Sequence, residues 1–187
     1  MWGPLTLSII YFFKSKILAL KYRFRRLWFY YFFKSFDIKI GSSILIHGGK
    51  GRHQFGNNFS VLDRCIFECH EKNSEFVTGK NCTFSYGVVC CINTKIKIGD
   101  NVWVGEYSSI RNSTHSFSVD SPMGTLNDKW EDIYIGNNVW IGRGTLILPG
   151  ARIGNNVVIA ANSVVKGEIK SNALYGGAPA RLIKLLS

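Results

Sequence analysis

The sequence lacks the features that mark several common protein classes. Its five cysteines are odd in number and form no CxxC pair, so neither a disulfide framework nor a structural zinc site is indicated. No proline-rich or serine-rich tract and no linker interrupts the chain, which favours a single folded domain. The longest uncharged stretch of the N-terminal segment, residues 1–13, is shorter than the roughly 20 apolar residues that a membrane-spanning helix needs. It also lacks a preceding basic region and a cleavage site, so it does not fit a signal peptide.

Acidic residues are missing altogether from residues 1–36, although this segment carries seven lysines and arginines and thirteen aromatic side chains. Apolar residues recur there at helical spacing: Phe13, Ile17, Leu20, Phe24, Trp28 and Tyr31. The pattern predicts a basic amphipathic helix. Such a helix either lies on the anionic cytoplasmic face of a membrane or caps one end of the fold. Both interpretations stay open here, whereas the aromatic density argues against nucleic acid. The reduced cysteines favour a cytoplasmic protein.

What the sequence does contain is a strict six-residue period. The anchors of six successive steps are Ile135, Ile141, Ile147, Ile153, Ile159 and Val165. Neither the 3.6-residue period of a helix nor the two-residue period of a strand fits this spacing. Four residues after each anchor stands a small or β-branched side chain. Glycine often follows the anchor directly, where we expect a corner to need its φ freedom and to leave no room for a side chain. A β-solenoid of stacked turns is therefore predicted.

The same period continues upstream with slips of phase, as in the sets Phe55, Val61, Phe67 and Ile98, Val104, Ile110. Short insertions at corners explain such slips without a second domain. The sequence thus divides into the segment 1–36, a repeat region over 37–170 with six or seven turns, and a C-terminal extension over 171–187. A loop over 111–132 leaves the repeat and returns to it.

Three stretches carry a family resemblance: IGDNVWVGEYSSIRNSTH before the loop, IGNNVWIGRGTLILPG after it, and YGGAPARLIK near the end. They resemble the hexapeptide-repeat acyltransferases, in the O-acetyltransferase branch that includes galactoside and maltose acetyltransferases. The resemblance implies a left-handed parallel β-helix, a homotrimer and acetyl-CoA as co-substrate. It also implies that the loop holds a catalytic histidine, His115, as general base, and that the backbone amide of Arg143 stabilises the oxyanion.

The partner that orients the His115 imidazole is left open: Asp120, Glu131 and Asp132 are close in the chain, and family members often use a backbone carbonyl. By resemblance the coenzyme contacts Trp140, Gly142, Arg143, Ala161, Lys166, Arg181 and Lys184. Ser85 and Asn93 stand where relatives acting on small sugars have an asparagine and an aspartate that contact the acceptor. This exchange keeps hydrogen-bonding groups but removes a charge.

The expected function is transfer of an acetyl group from acetyl-CoA to a sugar hydroxyl, in the biosynthesis of a surface polysaccharide such as O-antigen, a part of lipopolysaccharide, or capsule. A peripheral membrane position through residues 1–36 would suit a lipid-linked acceptor. Alternatives are acetylation of a free small sugar or antibiotic, and a non-catalytic trimeric scaffold. No metal is expected. The alternative is a metal site at Cys65, Cys69 and His70, or one built from histidines as in the γ-type carbonic anhydrases.

Overall fold

The computed structural model describes residues 38–41, 43–48, 51–122 and 128–186, and within these ranges the chain forms strands and no helix. In chain order the strands are β1 (Ile38–Ile40), β2 (Leu45–Gly48), β3 (Arg52–Gln54), β4 (Phe59–Val61), β5 (Ile66–Cys69), β6 (Glu75–Thr78), β7 (Thr83–Phe84), β8 (Val89–Ile92), β9 (Lys95–Ile98), β10 (Val102–Val104), β11 (Ser109–Arg111), β12 (Ser113–Thr114), β13 (Lys129–Trp130), β14 (Ile133–Ile135), β15 (Val139–Ile141), β16 (Leu146–Ile147), β17 (Arg152–Ile153), β18 (Val157–Ile159), β19 (Val164–Val165), β20 (Glu168–Ile169), β21 (Ala173–Gly176) and β22 (Arg181–Leu185). The predicted helix over 1–36 lies outside these ranges.

The strands build three parallel sheets that form the faces of a solenoid with about six turns. The first sheet has the order β1-β4-β7-β10-β15-β18-β21, and β22 adds to its end in antiparallel fashion. The second sheet is β2-β5-β8-β11-β16-β19, and the third is β3-β6-β9-β14-β17-β20. Apart from β12 and β13, which pair with each other, every third strand along the chain therefore joins the same face, which confirms the predicted solenoid. The parallel stack runs on to Gly176, past residue 170, because β21 pairs with β18.

The hexad anchors fill the core, as the six-residue period predicts. All six anchors from Ile135 to Val165 are buried, and so are the small or β-branched residues four positions later. Equivalent positions stack in register: Val102 pairs with Val139, Trp103 with Trp140 and Val104 with Ile141. Inward side chains alternate with outward ones along each strand, so the two tryptophans lie exposed on the outer face of the first sheet.

The three corners between the sheets are called here the first corner (from first to second sheet), the second corner (second to third) and the third corner (third to first). Glycines 136, 142 and 154 follow their anchors but do not adopt positive φ, so the expectation of φ freedom is wrong and the expectation of too little room for a side chain is confirmed. They are needed for space: a Cβ on Gly142 would lie 2.6 Å from the backbone nitrogen of Ala161 in the next turn. Positive φ occurs two residues later, at Asn138, Gly144 and Asn156.

The earlier turns have an aromatic core where the later turns have an aliphatic one. Phe59 and Phe84 pack edge to face with ring centroids 5.3 Å apart, and Phe67 and Phe76 do so at 5.7 Å. All five cysteines also lie buried in these turns as free thiols. Among the described residues no helix has the length and apolar character to cross a membrane.

Candidate active site

The long loop leaves the solenoid at the second corner through a short two-stranded neck. β11 ends at Arg111 and β14 begins at Ile133, while β12 and β13 pair in antiparallel fashion between them. Ser113 lies opposite Trp130, and Thr114 lies opposite Lys129. The next two residues of this ladder are His115 and Asp128, and the imidazole Nδ1 lies 2.7 Å from the Asp128 carboxylate Oδ1. The neck thus fixes the histidine at the base of the loop.

The three acidic residues that the sequence suggested as partners of His115 make other contacts. Asp132 accepts hydrogen bonds from the Thr94 hydroxyl (2.7 Å), the Lys95 backbone N–H (3.1 Å) and the Tyr134 hydroxyl (3.0 Å). Burial alone would raise the pKa of Asp132, but these three hydrogen bonds outweigh it and lower the pKa. The Glu131 carboxylate lies over Gly150, and the Asp120 backbone N–H bonds the Ser118 hydroxyl. Asp128 is the carboxylate that contacts the imidazole.

A groove of about 610 Å³ runs along the first corner and the adjoining edge of the first sheet. Its lining includes five residues that the sequence assigned to coenzyme or acceptor, together with Trp103: Ser85, Trp140, Gly142, Arg143 and Ala161. A second groove of about 1160 Å³ continues over the outer face of the first sheet and shares Trp103 and Trp140. Five of the predicted site residues therefore lie along one surface.

Close stacking of successive turns builds the first corner. The backbone N–H of Gly105 donates to the carbonyl of Ile141, and that of Gly142 donates to the carbonyl of Ile159. Beneath them a column of buried hydroxyls ties one turn to the next: Ser108 Oγ donates to the Gly142 carbonyl, and Thr145 Oγ1 contacts the Gly142 and Ala160 carbonyls. Within the described part of the chain, the backbone N–H of Arg143 has no hydrogen-bond acceptor. It remains available at the exposed edge of the corner.

The other predicted site residues lie elsewhere on the single chain. Asn93 is at the second corner, where its backbone N–H donates to the buried Asn112 side chain at 2.8 Å. Lys166 is exposed at the same corner, after β19. Arg181 and Lys184 lie on β22 at the end of the first sheet, paired with Gly176 and Leu174. One chain therefore does not bring the residues together: His115, Asn93 and Lys166 lie at the second corner, away from the groove residues at the first.

Residues 132–167 match the family model for the bacterial transferase hexapeptide (six repeats). Over 142 residues the chain is 36% identical to the putative lipopolysaccharide biosynthesis O-acetyl transferase WbbJ of Escherichia coli K12, covering 72% of this chain and 72% of that protein. The chain belongs to the hexapeptide-repeat acyltransferase family. It is also 38% identical over 108 residues to the galactoside O-acetyltransferase of Lactococcus lactis subsp. lactis, covering 54% of this chain and only about half, 51%, of that relative.

Solved structures of the family share the fold. The hexapeptide-repeat acetyltransferase VCA0836 of Vibrio cholerae, complexed with acetyl coenzyme A, superposes with a TM-score of 0.58 over 84% of this chain and 74% of that one. The sequence identity is 22%, so the likeness concerns the solenoid itself.

The histidines and cysteines outside the loop have contacts of their own. The buried thiols of Cys65 and Cys91 donate to the Ser85 carbonyl at 3.0 Å and to the Glu68 carboxylate at 2.8 Å. Burial raises the pKa of Cys65 and of Cys69 to about 11, which keeps both thiols protonated. Burial also lowers the pKa of His53. Within the residues that the structure describes, no three histidine, cysteine or acidic side chains are grouped so that they could hold a metal ion.

Sequence reasoning on this hexapeptide-repeat chain missed two residues at these surfaces. Trp103 had a signal, because the same NVW triplet recurs one turn later and places Trp103 beside Trp140. Asp128 had none, because its distance from His115 along the chain follows no period. It comes opposite His115 only through the pairing of the neck strands.

Proposed function

We propose that this protein is an acetyl-CoA-dependent O-acetyltransferase that modifies a carbohydrate hydroxyl as a homotrimer. The observation that carries this proposal is the division of complementary groups between two corners. An imidazole held by a carboxylate projects from the second corner. A backbone N–H without an acceptor in the described residues lies in a groove at the first. Acyl transfer to a hydroxyl needs both a base and an oxyanion donor.

His115 supplies the base. Its Nδ1 is engaged by Asp128 at 2.7 Å, so Nε2 is the nitrogen left to accept the proton of the acceptor hydroxyl. The hydroxyl oxygen attacks the thioester carbonyl as its proton moves to Nε2, which forms a C–O bond and a tetrahedral intermediate. Collapse of the intermediate breaks the C–S bond, and the imidazolium returns its proton to the departing thiolate. The acetyl ester and free coenzyme A are the products, and this sequence of steps needs no metal ion.

The backbone N–H of Arg143 suits the negative charge that develops on the carbonyl oxygen. The Gly142 carbonyl of the same peptide is held by two hydroxyls: Thr145 Oγ1 of the same turn donates to it at 2.7 Å, and Ser108 Oγ of the preceding turn donates to it at 3.1 Å. A donor fixed in this way needs no reorganisation during the reaction, which is the property that makes an oxyanion site effective. Gly142 lines the groove without a side chain and leaves room for the thin pantetheine arm of the coenzyme.

A homotrimer would bring the second corner of one protomer to the first corner of the next. Cyclic symmetry then repeats the same junction three times, with one active site at each. Lys166 of one protomer and Arg181 and Lys184 of another would supply positive charge to the coenzyme phosphates. The acetyl-CoA complex of the Vibrio cholerae protein supports this choice of donor, since that protein has the same fold.

The acceptor in this proposal is a sugar of a surface polysaccharide, O-antigen or capsule. Ser85 in the groove and Asn93 at the second corner would donate and accept hydrogen bonds at the sugar hydroxyls. The name of the Escherichia coli relative, which refers to lipopolysaccharide biosynthesis, supports this acceptor class. The basic and aromatic segment 1–36 would hold the enzyme at the cytoplasmic face of the membrane, where lipid-linked sugars are assembled.

The chemistry is tested by measuring thiol release from acetyl-CoA with a panel of glycan acceptors. We expect His115→Ala to lower kcat by about 10²- to 10⁴-fold, the usual contribution of a general base. His47→Ala is the matched control, because His47 is exposed on the first turn of the second sheet and should retain wild-type activity. Full activity of the His115→Ala protein would refute the assignment.

The shared site is tested by mixing two inactive variants. His115→Ala lacks the base, whereas Ala161→Trp fills the groove with a side chain at an exposed corner. After unfolding and joint refolding at equal amounts, about a quarter of the sites should combine an intact loop with an intact groove if each site spans two protomers. Activity would return to that level. If the mixture stays inactive although sedimentation shows mixed trimers, each site lies within one chain.

The membrane position is tested by flotation with vesicles that contain anionic phospholipids. The full chain should float with the vesicles, and a variant without residues 1–36 should stay at the bottom of the gradient. Binding should weaken at high salt, because about 1 kcal/mol per basic residue comes from attraction to the anionic surface. Equal flotation of both forms would contradict the proposal.

A further inference from the structure

We propose that Asp128 is a positioning residue for catalysis: its carboxylate holds the Nδ1–H of His115 and so directs Nε2 toward the acceptor hydroxyl. This inference rests on the proposed function, and it adds a second residue of this chain to the base. The sequence had left a backbone carbonyl or a different acid in this role. The observation is the 2.7 Å contact between Nδ1 and the Asp128 Oδ1.

The contact follows from how the neck is built. β12 and β13 are antiparallel, with Ser113 opposite Trp130 and Thr114 opposite Lys129. Continuing that register by one step sets His115 opposite Asp128, and directly opposed side chains in an antiparallel pair lie on the same face within reach of each other. The pair is therefore formed at the base of the loop, by backbone pairing next to the solenoid.

The other charged groups around the neck do not compete for the imidazole. Lys129 follows Asp128 directly and begins β13, so its side chain projects from the opposite face of the ladder. Asp132 is occupied by the Thr94 and Tyr134 hydroxyls and the Lys95 backbone, and Glu131 lies over Gly150. Arg111 precedes the neck at the end of β11 and is exposed. Asp128 is thus the acid placed to act on His115.

A carboxylate at this position does two things. It selects the tautomer with the proton on Nδ1, which leaves the Nε2 lone pair free to accept a proton, and it stabilises the imidazolium that forms during attack. In a fully buried triad, loss of the carboxylate's charge lowers kcat by about 10⁴-fold. The side chains of His115 and Asp128 are 69% and 36% exposed, so water screens part of this effect.

The test compares Asp128→Asn with Asp120→Asn in the full-length protein, using thiol release from acetyl-CoA with whichever glycan the wild type acetylates. Asp120 is an exposed acid of the same loop that does not contact the imidazole, so its variant is the matched control. We expect Asp128→Asn to lower kcat by about 10- to 10²-fold with little change in the KM for either substrate. Asp128→Glu should recover part of the loss, and Asp120→Asn should match wild type.

A spectroscopic readout separates positioning from a purely structural role. In protein labelled with ¹⁵N-histidine, the wild-type His115 ring should show the Nδ1–H tautomer at pH 8, and Asp128→Asn should show a mixture or the Nε2–H form. A wild-type tautomer together with wild-type kcat in Asp128→Asn would overturn the inference. That outcome is distinct from failure of the proposed function, in which His115→Ala itself would retain activity.

Discussion

The first and second corners of the solenoid both turn the chain from one sheet to the next, but they are held in different ways. At the first corner, backbone groups of successive turns stack so closely that a Cβ on Gly105 would lie 2.5 Å from the Arg143 nitrogen. At the second corner side chains add to the backbone bonds between turns: Asn112 bonds the Asn93 backbone, and Asp132 bonds Thr94 and Lys95. The first corner keeps one length between its strands from β4 to β19, while the second accommodates the entire loop.

This difference fits the demands of the chemistry. A hydrogen-bond donor for an oxyanion must not move, and a backbone N–H in a regular stack is among the most fixed groups in a protein. In the proposed trimer the base would have to reach a substrate bound at another protomer, which a loop leaving the stack allows. The regular corner therefore carries the Arg143 amide, and the irregular corner carries His115.

The largest predicted effect tests the close stacking of the first corner. Gly142→Ala would place a Cβ 2.6 Å from the Ala161 nitrogen and 2.8 Å from the Ile159 carbonyl oxygen, both backbone atoms of the next turn. The turn must shift to accept it. We expect the free energy of unfolding to fall by about 3 kcal/mol, measured by urea denaturation at one fixed protein concentration.

The control is Gly167→Ala at the second corner. Gly167 has a φ of +73° but no atom within 4 Å of an added Cβ. Its substitution carries only the strain of a left-handed backbone, about 1 kcal/mol. If the two variants lose equal stability, the first corner is no tighter than the second.

The six-residue period made the fold predictable, because each buried anchor from Ile135 to Val165 sits one face further along the solenoid. The reason given for the glycines was wrong in part. Positive φ lies at Asn138, Gly144 and Asn156, and Gly142 is glycine because the next turn leaves no room. A one-dimensional pattern reveals small residues at a corner, but the distance between turns decides whether conformation or space selects them.

The site was less predictable than the fold. The resemblance named His115 and Arg143, but not their separation on two corners of one chain. The six-residue period gives a residue's place within its own turn. Whether the first corner of one protomer meets the second corner of another depends on how the protomers assemble. Asp128 lies opposite His115 through a strand pairing outside the repeat, so no count of residues could find it.

The second-largest predicted effect is a loss of stability at the first corner at high pH. Cys65 lies at the inner position of that corner and donates to the Ser85 carbonyl, as Ser108 does to Gly142 in a later turn. Burial raises the pKa of Cys65 from 9.0 to about 11, so the folded state retains a proton that the unfolded state loses. This contribution to stability is complete below pH 9 and is lost as the pH rises toward 11.

Ionisation of the Cys65 thiol should lower the unfolding free energy of the wild type by about 2 kcal/mol between pH 9 and pH 11. In Cys65→Ala the dependence on pH should be correspondingly shallower, as measured by urea denaturation at pH 8, 9, 10 and 11. Val88→Ala is the matched control, because Val88 is buried at the equivalent position of the following turn and does not titrate. It should lower stability by a constant amount. Parallel curves for wild type and Cys65→Ala would contradict the prediction.

The smallest effect appears at the second corner and at the opposite end of the pH scale. Burial tends to raise the pKa of Asp132, but the hydrogen bonds from Thr94, Lys95 and Tyr134 prevail and lower it below 3.8. The stability that these bonds provide is present above the ordinary value and is lost as the pH falls through the lowered one. Because Asp132 is partly open to water, we expect less than about 1 kcal/mol.

Asp132→Asn should therefore lose less stability than wild type when the pH falls from 5 to 3. Thr94→Val removes the shortest of the three hydrogen bonds and should also make the loss of stability in acid smaller. Both are measured by urea denaturation across that range. Lowering the pH should therefore weaken the second corner through Asp132, just as raising the pH weakens the first corner through Cys65. If both variants follow the wild-type acid curve, the backbone bonds alone hold the second corner. The stability of the neck that carries His115 then does not depend on Asp132.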